Sequence, residues 1–119
     1  MKSNLLFVIG LAVLTTACTL GNSDSVIDRN LSKLSLVKEN HLVMEKNGEA
    51  YVLDTYIQLF ARPYYIDLKT KSGLAIGKKQ AIDVSKEYIK PRGCTRPIEN
   101  EKVLKVNKTK SRYIISLEC

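Results

Sequence analysis

The sequence predicts an α+β domain, a mostly antiparallel sheet with one main helix packed on it. Three observations carry this. Asn47-Gly48 stands between two apolar-containing runs, and both central residues of a type I′ hairpin turn must tolerate positive φ, as Asn and Gly do. Residues 72–90 place Ala81, Ile82, Ser85, Tyr88 and Ile89 at three- and four-residue spacing, the period of a helix with one buried face. Residues 112–119 alternate instead, with Tyr113, Ile115, Leu117 and Cys119 on one side, the period of a strand. At 119 residues, 45% hydrophobic and 26% charged, the chain has room for one hydrophobic core.

The elements follow in order. Lys2 precedes Leu5-Leu6-Phe7-Val8-Ile9-Gly10-Leu11-Ala12-Val13-Leu14, a run without a polar side chain. A membrane-crossing helix needs about 20 apolar residues, so this run is too short to span. It has the length of a signal-peptide core, and the small residues Thr15-Thr16-Ala17 suit cleavage. Residues 1–17 are therefore expected to be a signal peptide. Leu14-Thr15-Thr16-Ala17-Cys18 resembles the lipobox of bacterial lipoproteins, whose cysteine becomes the lipidated first residue of the mature chain. Thr16 and Ala17 match that pattern; at Thr15 the pattern has Leu or Val, and here Leu14 sits one place further back. The resemblance implies a membrane anchor at Cys18. With Thr19 and not Asp next, it also implies an outer-membrane lipoprotein facing the periplasm. The alternative is ordinary cleavage after Ala17, leaving a secreted or soluble periplasmic chain.

Three cysteines is an odd number for an exported protein. With Cys18 assigned to a lipid, Cys94 and Cys119 remain, and an oxidising compartment favours a disulfide between them. Such a bond closes a loop of about 25 residues and contributes roughly 3 kcal/mol.

Residues 18–35 are polar and rich in Ser and Asn, the composition of a flexible tether, with Leu31 and Leu34 as the possible start of a short helix. The folded domain is expected over 36–119. Its first hairpin has arms at about 38–46 and 49–60. Ala50, Leu53, Ile57 and Phe60 also fit a helical stripe, but the β-branched and aromatic content favours strand. Arg62-Pro63 breaks the run. Residues 64–69 alternate again, with Tyr64, Ile66 and Leu68 on one side. The helix over 72–90 carries Lys79, Asp83, Lys86 and Lys90 opposite its apolar face and is stopped by Pro91 and Gly93. Residues 101–106 and 112–119 form a closing hairpin, which points Cys119 toward the helix end that carries Cys94.

The catalytic chemistries are thin. His41 is the only histidine, and nucleophilic triads need a base of that kind. The twelve acidic residues are scattered, mostly beside lysines, without the paired carboxylates of a glycosidase. Cys94, Cys119 and His41 are too few for a zinc site. Gly73-Leu74-Ala75-Ile76-Gly77-Lys78-Lys79 lacks the spacing and the Ser or Thr of a phosphate loop. No enzyme activity, cofactor or metal is therefore expected.

Charge is the remaining signal. The formal net charge is +7. Residues 18–60 carry four basic and six acidic side chains, residues 61–119 fourteen and six. Lys78, Lys79, Lys86, Lys90, Arg92 and Arg96 are the candidate surface for an anionic partner, either an envelope component or an acidic protein. Export, and the absence of aromatics interleaved with these cations, argue against nucleic acid. The expected function is a non-catalytic interaction or accessory module on a lipid anchor. The alternative is a periplasmic inhibitor or immunity protein directed at a toxin or hydrolase.

Overall fold

The turns organise the chain. In the computed structural model, which describes residues 23–119, Asn47 and Gly48 have φ of 53° and 83°. That is the type I′ geometry, and it joins β1 (Ser35–Lys46) to β2 (Glu49–Ile57). β3 (Tyr64–Thr70) follows beyond Arg62-Pro63. The helix α2 (Lys78–Gly93) leads to the hairpin of β4 (Glu99–Val106) and β5 (Arg112–Glu118). A further helix, α1 (Asp24–Leu31), precedes them all. The expected signal peptide, Cys18 and the first part of the expected tether lie outside the described residues.

The five strands form one sheet in the order β1-β2-β3-β5-β4, with every neighbouring pair antiparallel. β5 inserts between β3 and β4, so those two strands run parallel and α2 is their crossover. The α+β class holds, with two helices on the sheet. α2 packs Ala81, Val84, Tyr88 and Ile89 onto Tyr51, Leu53, Ile66, Leu68, Tyr113, Ile115 and Leu117. Burying side chains of this size contributes about 1.5–3 kcal/mol each.

α1 corrects the tether. Residues 24–31 are helical, capped by the Ser23 hydroxyl, which accepts from the Val26 N–H. Ile27 and Leu31 are buried with Ile114 on the sheet face opposite α2. Composition misled because this eight-residue helix docks through only two apolar residues, with polar contacts from Asp24 and Asp28 added to them. β5 is consequently buried on both faces from Arg112 to Leu117, where alternation predicted burial on one.

The start of α2 is a second correction. The helix begins at Lys78, not residue 72. Gly73 has φ 82°, and the polar groups that would build an earlier turn bond elsewhere. Thr70 Oγ1 donates to the Leu74 carbonyl, Tyr113 OH to the Ile76 carbonyl, and the Ile76 N–H to the Lys110 carbonyl. At the other end Pro91 lies inside the last turn and Gly93 is the final helical residue. Gly93 is needed for space. A Cβ there would stand 2.8 Å from Tyr64 Cζ, whose hydroxyl donates to the Gly93 carbonyl at 3.0 Å.

Candidate functional site

The two ends of the sheet differ in what they expose. One end gathers the β1–β2 turn, the 71–77 loop, the start of α2, the 107–111 turn and Ser23. Backbone bonds tie these together: Lys71 N–H to the Ala50 carbonyl, Thr70 N–H to the Ser111 carbonyl, and Ile76 N–H to the Lys110 carbonyl. Asn107 Nδ2 donates to Asp24 Oδ1 at 3.1 Å, joining α1 to the same rim. The opposite end gathers the β2–β3 turn, the C-terminus of α2 and Cys119. There Cys94 and Cys119 form a disulfide with Cα atoms 5.0 Å apart.

The six candidate cations do not converge. Lys78 and Lys79 stand at the first end, Lys90, Arg92 and Arg96 near the second, and Lys86 between them on α2. Lys78 and Arg92 are fourteen helical residues apart, about 21 Å, and Arg96 lies beyond the helix end. Several are also engaged. Lys79 Nζ pairs with Asp83 at 3.0 Å and Lys86 Nζ with Glu101 at 3.1 Å. Arg92 donates to the Tyr88 carbonyl and stacks its guanidinium 5.0 Å from the Tyr88 ring centroid. Lys46, at the end of β1, pairs with Glu87 on α2. The pairing is felt at both carboxylate and ammonium. Glu101 is held below the usual carboxylate range by its own backbone N–H and by Lys86. Lys46 is raised by its hydrogen bond to Glu87. A groove of about 690 Å³ beside the helix is lined by Asp83, Lys86, Glu87, Lys90, Pro91, Pro97 and Ile98. Its charges are mixed and do not form a cationic track.

Arg112 is no surface cation at all. Its Nε and Nη2 donate to the two Asp67 oxygens, both at 2.9 Å, and Nη2 also donates to Asp28 at 2.7 Å. Both members of the Arg112–Asp67 pair are buried. Burial alone would weaken the guanidinium's hold on its proton. The hydrogen bonds and charges of Asp67 and Asp28 outweigh it, and the pKa stands above the ordinary arginine value. The triad clamps α1 to the sheet. Spacing could not reveal it, because Asp28 and Arg112 are 84 residues apart.

A second polar network closes on the α2 face. Tyr88 OH donates to the Asn40 carbonyl at 2.5 Å and accepts from Thr55 Oγ1 at 2.7 Å. Asn40 Nδ2 in turn donates to Thr55 Oγ1 at 3.3 Å. The ring of bonds pins the bulge in β1 between Val37 and Leu42. His41 pairs with Asp54 at 2.7 Å on the outer side of the same bulge.

The apolar exposures were missed by reading for charge. Leu59 and Phe60 project from the β2–β3 turn, Phe60 fully exposed with φ 65°. Leu74 projects from the opposite end at 65% exposure. Among the described residues no group of three or more His, Cys, Asp or Glu is placed to hold a metal ion, and no helix is long and apolar enough to cross a membrane. Comparison of the chain with protein-family models, curated proteins and solved structures finds no match.

Proposed function

We propose that the chain is an exported, lipid-anchored envelope protein that acts as a non-catalytic interaction or accessory module for an anionic partner. The observation that carries it is the apolar run of residues 5–14 closing on Thr16-Ala17-Cys18. The disulfide supports the same reading, since such bonds persist in oxidising compartments. It occupies two of the three cysteines and leaves Cys18 for the lipid. The buried polar groups described above support a non-catalytic role. Arg112, Asp67, Tyr88, Thr55 and Asn40 spend their hydrogen-bonding capacity on one another and on the backbone.

Cell fractionation tests the reading. The unaltered protein is expected in the membrane fraction, and Cys18→Ala is expected to move it to the soluble fraction or leave it uncleaved. Unchanged membrane recovery of a cleaved Cys18→Ala chain would remove the anchor from the account.

The Leu59–Phe60 tip favours a second reading, an inhibitor or immunity protein. A fully exposed aromatic held in the left-handed region is a strained feature of the kind found at binding loops. On that reading the protein captures one stoichiometric toxin or hydrolase and lowers its activity, and Phe60→Ala weakens both effects.

A further inference from the structure

We infer that the end of the sheet carrying Ser23 docks end-on against an anionic phospholipid surface, with Leu74 entering the headgroup region among lysines. The inference rests on the anchored reading above and adds to it an orientation and a contact surface.

The first ground is where the folded chain begins. Ser23 caps α1 at the rim formed with Asn107 and Lys108. If Cys18 carries the lipid, five peptide links separate it from Ser23, a reach of at most about 18 Å. The nine residues of β2 alone extend about 30 Å. A tether that short keeps the Ser23 end within about 18 Å of the membrane and so brings that end, of the two, nearest to the anchor.

The second ground is what that end exposes. Lys71, Lys78, Lys108 and Lys110 are all exposed, and none is ion-paired among the described residues. Lys71 and Lys78 flank the loop that presents Leu74, the Lys110 carbonyl accepts from Ile76 of that loop, and Lys108 stands beside Ser23 on the same rim. The carboxylates at this rim, Asp24, Glu45 and Glu49, keep their charge and are outnumbered by these lysines. Asp24 accepts from Asn107, and Glu49 accepts from the Ser72 hydroxyl at 3.0 and 3.1 Å. Lys78 and Lys79 also occupy the first turn of α2, which has no acidic residue. The helix dipole disfavours cations at that position, so their placement costs stability that a membrane contact offsets. Anionic headgroups attract basic residues close to the surface, and each is worth about a fivefold change in partitioning. A single exposed leucine framed by lysines is a chemistry suited to the headgroup boundary. An acidic protein partner would match the lysines but leave Leu74 and the short tether without a role.

The test uses tryptophan fluorescence, because the chain has no Trp. Leu74→Trp and Phe60→Trp are each purified as full-length-derived mature protein and placed on vesicles containing brominated phosphatidylglycerol. The expected result is strong quenching of Leu74→Trp and none of Phe60→Trp. Adding Lys108→Gln and Lys110→Gln, or replacing the anionic lipid with phosphatidylcholine, should reduce the Leu74→Trp quenching severalfold. Quenching of Phe60→Trp equal to or above that of Leu74→Trp overturns the end-on orientation. So does the absence of Leu74→Trp quenching, or quenching indifferent to anionic lipid, as would follow if an acidic protein were the partner. Mass measurement of the same preparation reads Cys18 separately. A lipidated chain without Leu74→Trp quenching sinks this inference alone, whereas an unlipidated chain sinks the anchor, and its quenching on added vesicles still decides the contact surface.

Discussion

The two faces of the sheet are held by different physics. Toward α2 most contacts are apolar, with Leu53, Ile66, Leu68, Ile115 and Leu117 fully buried beneath Ala81, Val84 and Ile89, a disulfide at one edge, and the Tyr88–Thr55–Asn40 network as the polar exception. Toward α1 only Ile27, Leu31 and Ile114 form the buried apolar cluster, and Arg112 bridges Asp67 and Asp28 beside them. The apolar face is redundant, since many side chains share the load. The polar face concentrates its attachment in one guanidinium. Such a face is specific in register and vulnerable to single substitutions.

The largest effect expected from this contrast is at the triad. Asp67→Ala leaves the Arg112 charge buried without its main partner and should cost about 3–5 kcal/mol in denaturant unfolding. Replacing Asp67 and Arg112 together by Leu and Met should recover most of that loss, because the desolvation penalty goes with the charges. A double variant as unstable as Asp67→Ala would show that the polar face depends on the charges themselves. On the other face, Cys94→Ser and Cys119→Ser should each cost about 3 kcal/mol. The double variant should cost no more than either, because both break one bond. Additive losses would mean the two thiols act independently.

Smaller, and confined to the α2 side of the comparison, is Tyr88→Phe. Loss of its hydroxyl strips a partner from Asn40 and Thr55 and should cost about 1–2 kcal/mol. The same residue gives a pH signature. Burial raises Tyr88 and Tyr113 above their ordinary value of 10.0. The folded state then holds these phenolic protons more tightly than the unfolded chain. The stability they carry is complete below about pH 10 and is lost as pH climbs through the raised folded values. Tyrosinate absorbance at these sites should therefore rise together with loss of the circular dichroism signal, and not ahead of it.

The same contrast explains what was legible in the sequence. The hairpin at Asn47-Gly48, the strands β3 and β5 and the helix α2 rest on local patterns, and the structure has all of them, although β5 is buried on both faces and Val84 rather than Ile82 lies fully buried in the α2 stripe. The Cys94–Cys119 pairing followed from counting and from the face that Cys119 shares with Leu117. α1 was hidden because its docking depends on Asp28 and Asp24 finding Arg112 and Asn107 from the far end of the chain. The candidate cations were legible as residue types and not as a surface. Lys79, Lys86 and Arg92 find partners within α2 or across to β4. The exposed lysines that share an end do so through loops whose meeting depends on the whole sheet.

Location, tether length and the orientation of the basic end all depend on the proposed anchor. Intact-mass and peptide mass spectrometry of the mature protein from membranes addresses it most directly. An anchored chain gives an N-terminal peptide that begins at Cys18 and carries the added mass of lipid chains. A mature chain that begins at an unmodified residue at or after Cys18, or one that retains the leader, would contradict the anchor.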